Sequence, residues 1–214
     1  MPEGYTVSEV IAITGHRDYT DRANFYKGLN NLRAKEYVFG GARGADTDAL
    51  EYIGRSQPVS MRTVVVPNRV IDQPVQARAM IKRYATRVVE LRNRGNNRFQ
   101  IRNRNMVDRS THVRAFYDFR GRGGTYNTIQ YAKLKGKSYD IWNIKEVNLN
   151  KYMKMSRTEF QQWFNGMRES KVNLLSVKGI VLRYVKNILN VTMPVFLEMS
   201  GFIGVNALED IWND

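Results

Sequence analysis

The sequence predicts an α/β fold: a three-layer domain with a mostly parallel sheet, followed by a C-terminal helical extension. Three observations carry this. Short apolar, β-branched runs alternate with segments of helical apolar spacing from Glu9 to Trp142. Several of these runs end at glycine or proline, as strands that feed a helix do. After about residue 147 the strand-like runs stop and helical spacing takes over.

The elements follow in order. Glu9–Thr14 (EVIAIT) reads as a buried strand ending at Gly15. Thr20–Asp21 supplies an N-cap for a helix whose apolar face is Phe25, Leu29 and Leu32. Tyr37–Phe39 is a second strand running into GGARGAD, Gly40–Asp46, and Ala45, Ala49 and Ile53 give the next helix a small-residue face. Arg62–Val66 is a strand closed by Pro67, Val75 and Ala79 begin a helix that continues through Lys82–Arg83, and Arg87–Leu91 is a short strand. The stretch LRNRGNNRFQIRNRN, residues 91–105, has little to bury and is expected as a loop or helix start rather than core. Val113–Tyr117 is a strand before Gly121–Gly124, Thr125–Leu134 a helix and Tyr139–Trp142 a last strand. Beyond these, Ser156-x-x-Glu159 is a capping-box signature ahead of Phe160, Trp163, Phe164 and Met167. Residues 172–190 again show helical spacing, with Pro194 and Gly201 as breaks. The expected division is residues 1–147 as the α/β domain and 148–214 as a helical extension for packing or homo-oligomerisation.

Composition narrows the function classes. The 214 residues contain no Cys and two His, His16 and His112, which removes disulfide scaffolds, thiol nucleophiles and Cys or His-rich metal centres from consideration. The start of the chain lacks a basic-then-apolar leader, and the uncharged run Asn187–Leu197 is short for a membrane span, so a soluble, cytoplasmic protein without a membrane role is expected. The net charge is +14. Residues 69–122 hold 14 Lys+Arg against 4 Asp+Glu, and 13 of those 14 are Arg. Arginine forks suit phosphate, so this excess points to nucleotides or nucleic acid and reads as an arginine wall along one crevice.

The glycines locate that crevice. In a parallel sheet, ligands bind outside the carboxyl ends of the strands. Three turns there combine glycine with arginine: TGHR, GGARGAD and RGRGGT. Glycine permits positive φ and close backbone approach, and the following helix N-terminus offers free N–H groups to an anion. Arg17, Arg43, Arg120 and Arg122 add charge-assisted donors and Thr125 a hydroxyl. Neither GxGxxG after the first strand nor the P-loop GxxxxGK[ST] is present, which argues against a standard hydride-transfer enzyme and a P-loop ATPase.

The order TGHRDYTD, GGARGAD, Pro67, RNRNM and AFYDFRGRGGT resembles the SMF/DprA–LOG (SLOG) superfamily of Rossmann-like domains, nearest to its YspA- and YpsA-like branch. The resemblance covers about residues 8–143. It implies loops that bind nucleotides or nucleotide-derived ligands such as NAD, ADP-ribose or mononucleotides. It places Gly15 and Arg17 on the first loop, Gly40, Gly41, Arg43, Gly44 and Asp46 on the second, and Gly121, Gly123, Gly124 and Thr125 on a phosphate loop. Arg102, Asn103 and Met106 match an Arg-containing helix that reaches the ligand. Arg120 and Arg122 depart from the proline and glycine of that phosphate loop. The branch's catalytic Glu position is Thr128 here, so the carboxylate that N-glycosidic cleavage needs is missing.

Three functions follow from these residues. The first is a binder or sensor of a nucleotide-derived ligand, with Arg17, Arg43 and Arg102 on its charge and Asp46 on a ribose hydroxyl. The second is a DprA-like single-stranded nucleic-acid binder, with Tyr84, Phe99, Phe116 or Tyr117 stacking bases. The third is a nucleotide N-glycosidase with Asp46 as a substitute carboxylate, only Asp46, Asp48 and Asp108 lying near the expected loops. His16 is placed to stack on a base, to act as an acid or to serve as a plain loop residue, and His112 reads as structural.

Overall fold

A computed structural model describes residues 8–144 and 156–173. The chain divides into two compact units, Met1–Lys145 and Glu146–Asp214. In the first, six strands form one sheet: β1 (Ser8–Gly15), β2 (Ala34–Phe39), β3 (Met61–Val66), β4 (Arg87–Glu90), β5 (His112–Tyr117) and β6 (Ser138–Asn143). The helices between them are α1 (Arg22–Asn30), α2 (Ala45–Ser56), α3 (Val75–Tyr84), α4 (Arg98–Arg109) and α5 (Gly124–Leu134), with a short 3₁₀ turn at Val70–Asp72.

The strand order is β4-β3-β2-β1-β5-β6, and all five pairings are parallel. Parallel neighbours require crossovers, and each helix supplies one. From β1 to β4 the chain steps outward one strand at a time, then α4 carries it back to the far side of β1. The order therefore reverses between β1 and β5, where an open α/β sheet forms its ligand crevice.

Strand alternation divides the core between two faces. Ala12, Val38, Val65, Val113, Ala115, Tyr139 and Ile141 pack with Met106 and Val107 of α4 and Ile129 and Ala132 of α5. The opposite face carries Phe116 and Trp142, against which α1 lays Gly28 and Phe25; the Phe25 and Phe116 ring centroids are 4.5 Å apart. These central strands are apolar on both faces because both are covered, which is why they read as continuous hydrophobic runs. Asp21 caps α1 by accepting a 3.0 Å bond from the Asn24 N–H. Three arginines are buried in this unit: Arg102, in α4, Arg62, which donates to the carbonyls of Ser60, Pro58 and Tyr84, and Arg114, which donates to Asp140 at 2.7 Å and to the Gly28 carbonyl.

The second unit contains α6 (Arg157–Glu169). Its capping box is formed: Ser156 N–H donates to Glu159 at 2.8 Å and the Glu159 N–H donates back to the Ser156 hydroxyl. Phe160 and Phe164 are buried. Of the helical spacing expected over 172–190, Val172 and Asn173 are described and not helical, while 174–190, Pro194 and Gly201 lie outside the described residues.

Stretch 91–105 is a loop and a helix start, as expected, but it is not all outside the core. Its second half is the first two turns of α4, and Arg102 is buried there with Met106. Polar composition suggested solvent, but the crossover helix must lie on the sheet, so whatever its inner face holds becomes interior. No helix among the described residues is long and apolar enough to cross a membrane.

Candidate functional site

The loops after β1, β2 and β5 meet at the reversal point and enclose a crevice of about 640 Å³. Thr14, Gly15, His16, Arg17 and Asp18 line it from the first loop, Ala42, Arg43 and Asp46 from the second, and Arg120 and Arg122–Thr125 from the third. The N-terminal half of α4 closes it with Phe99, Gln100, Arg102, Asn103 and Met106.

The first two loops are locked together. Ala45 N–H donates to the His16 carbonyl at 3.2 Å, and Tyr19 donates to Asp48 at 2.5 Å. Gly44, at φ +79°, faces the Arg17 backbone so closely that a Cβ would come within 2.5 Å of the Arg17 carbonyl oxygen. Gly15 faces Ala45, and Gly41 turns over Val64 and Val66. A Cβ on Gly40 would overlap the Arg102 guanidinium, which donates to the Gly40 carbonyl. The small size of these four glycines lets protein meet protein, and Gly41 and Gly44 also take the positive φ expected of them.

The third loop is different. Gly121 and Gly123 have φ of +71° and +97°, and nothing lies within 4 Å of where a Cβ would stand on either. Gly123 is the N-cap of α5, so Gly124, Thr125 and Tyr126 begin the helix with N–H groups that have no intrahelical acceptor. The loop is held from behind: the Gly121 N–H donates to the Tyr117 hydroxyl at 2.5 Å and Asn103 donates to the Gly124 carbonyl at 3.3 Å. Thr125 is 3% exposed and lines the crevice. Thr128, at the position where the resemblance implies a Glu, is buried and donates its hydroxyl to the Gly124 carbonyl at 2.8 Å.

Arg102 and Asp46 form the floor, with 6% and 8% exposure. Arg102 Nη1 lies 3.3 Å from Asp46 Oδ2, which also accepts from the Ala42 N–H at 3.2 Å. Burial pushes the Asp46 carboxyl above the usual carboxylate range, against the pull of Arg102 and of that N–H. Arg102 Nε is fully enclosed and has no acceptor among the described residues. A buried guanidinium so incompletely bonded is costly.

At the mouth is a network that the sequence reading did not anticipate. Arg120 binds Asp118 through two nitrogens, at 2.8 and 2.5 Å, and reaches Asp18 at 3.3 Å. Asp118 Oδ1 also lies 2.9 Å from His16 Nε2. Burial lowers the His16 pKa, Asp118 opposing it only in part, and the Asp118 backbone N–H stands 3.5 Å from His16 Nε2, which accepts from it. Burial raises Asp118, but the Arg120 hydrogen bond and His16 outweigh it and hold the carboxylate low. Arg120, expected to clamp phosphate, is thus already paired. Asp18 and Asp118 are the acidic residues at the mouth, and each stands beside a motif that the sequence displays: directly after TGHR and at the carboxyl end of β5. Asp48 accepts from Tyr19 and Asp108 from Tyr131.

Arg17, Arg43 and Arg122 are exposed on the crevice and make no salt bridge with any described residue. The expected arginine wall is therefore partial. Of the 13 arginines in 69–122, only Arg94, Arg98, Arg102, Arg120 and Arg122 line this crevice or the cavity adjoining it. Of the expected stacking residues, Phe116 and Tyr117 are core, and Tyr84 packs on Gly54 and accepts from Arg55. Phe99 alone of these reaches the crevice. His112 bonds Ser138 and Asp140, away from it.

No protein-family model matches the chain, and no curated protein matches it in sequence.

Proposed function

We propose that the crevice binds a nucleotide-derived, phosphate-bearing ligand of the NAD, ADP-ribose or mononucleotide class, and that the chain acts as a binder or sensor. The observation that carries this is the third loop: open glycine turns and the free N–H groups of α5 face the same space as buried Arg102 and as Arg17, Arg43 and Arg122, which make no salt bridge with any described residue. Backbone donors, a helix N-terminus and unpaired guanidinia together are how proteins hold phosphate. The order of motifs that resembles the SLOG superfamily supports the same ligand class. Binding is favoured over N-glycosidic cleavage because Asp46, Asp118 and Asp18 are each tied to an arginine and Thr128 bonds its own helix.

Thermal denaturation with NAD, ADP-ribose, cyclic ADP-ribose and AMP tests the proposal. At least one should raise Tm by an amount that grows with its concentration, and Arg17→Gln with Arg43→Gln should reduce the shift. No shift with any of the four would overturn it.

A further inference from the structure

A second cavity of about 660 Å³ adjoins the crevice and shares Arg17, Ala42, Arg43, Phe99 and Arg102 with it. Its far wall is Pro67 and Asn68 after β3, the Asp72–Pro74 turn, and Arg94 and Arg98 ahead of and at the start of α4. Five arginines face this lobe and one carboxylate. That carboxylate, Asp72, already accepts from Asn68 at 2.5 Å and from Arg69. Arg94 and Arg98 make no salt bridge with any described residue. The far lobe therefore carries a cationic excess, five arginines against the single carboxylate of Asp72.

Phe99 stands where the two lobes join. It is 40% exposed, and the Arg17 and Arg98 guanidinia lie 5.7 and 4.8 Å from its ring centroid. Among the described residues it is the one Phe, Tyr or Trp lining either lobe. A groove for single-stranded nucleic acid offers successive stacking platforms along a phosphate track. A single platform with an anion-holding lobe on each side fits one planar ring with charge on both sides of it.

We infer that the ligand is a nucleotide with a second phosphoryl group set apart from the first, one phosphate at the α5 N-terminus, the other between Arg94 and Arg98, and a ring over Phe99. This rests on the proposed function and narrows it: a monophosphate fills one lobe only.

Calorimetric titration of the full chain with AMP, GMP and their 3′,5′-bisphosphates separates the possibilities. A bisphosphate should bind about 10- to 100-fold tighter than its monophosphate, the gain expected from charge-assisted bonds to one more phosphate. The double variant Arg94→Gln/Arg98→Gln should cost the bisphosphate at least about tenfold more than the monophosphate. Its circular dichroism should match that of the unaltered chain, since neither side chain holds the fold. Equal affinity for mono- and bisphosphates would overturn the two-lobe inference and leave the proposed function standing. Binding of none of these, nor of NAD or ADP-ribose, would overturn both. An oligonucleotide of about 12 residues that binds tighter than any bisphosphate, with affinity falling steeply in salt, would replace the small ligand by a strand.

Discussion

The second and third glycine turns look alike in sequence, each a run of glycines beside arginine, yet they do opposite things. In GGARGAD the glycines admit protein: Gly40 accommodates the Arg102 guanidinium and Gly44 the Arg17 backbone. In GRGGT, Gly121 and Gly123 admit nothing from the described protein and leave space in front of a helix N-terminus. The lesson is that a glycine-rich turn after a parallel strand has two uses, and spacing alone does not separate them. What separates them is whether another element, here α4 or the β1 loop, comes to fill the room.

The comparison can be broken by substitution, and the largest effect is expected at the floor of the second turn. Arg102→Met leaves Asp46 buried without its cation, which should cost about 3–5 kcal/mol and lower Tm by roughly 10 °C. A loss below about 1 kcal/mol in chemical denaturation would mean that the Arg102–Asp46 pair does not hold the turn. Gly44→Ala comes next, at about 2–4 kcal/mol, because it combines positive φ with contact against backbone that cannot give way. Gly121→Ala should cost only about 1 kcal/mol, the penalty for a left-handed alanine, since its Cβ meets nothing. Its effect should appear in ligand affinity instead, about tenfold. If the two alanine variants lost equal stability, the distinction between the turns would fail.

The smallest effect is in pH. Burial lowers the His16 pKa, so the unfolded chain takes up that proton first. Stability should be complete above the ordinary histidine value of 6.5 and decline as pH falls below it. His16→Gln should remove that part of the decline and retain the part set by Asp118, which comes below the ordinary aspartate value of 3.8. Melting curves of both proteins from about pH 2 to pH 8 measure the difference.

Much of the fold was legible because the sequence punctuates it. Gly15, Gly40, Pro67 and Gly121 stand at or just beyond the ends of apolar runs, and Asp21 and Ser156 cap helices where their side chains predict. Strand order was not legible, since nothing local tells β5 to pair with β1 rather than β4. The far lobe was hidden for the same reason: Asn68 and Arg94 are distant in sequence and meet only because β3 and β4 are neighbours. Arg102 was singled out by its motif and lines the crevice, yet the surrounding RNRN composition argued for solvent. Tertiary placement of α4 on the sheet overrode that composition. The Asp118–Arg120–Asp18 network escaped because pairing depends on two loops 102 residues apart coming together.

A crystal structure of the chain with saturating AMP decides whether phosphate sits where the third loop meets α5. Phosphate oxygens are expected at hydrogen-bonding distance, about 3 Å, from the backbone nitrogens of Gly124 and Thr125, with Arg17 or Arg122 closing over them. Nucleotide bound elsewhere on the protein, with the loop in front of α5 empty, would contradict this placement.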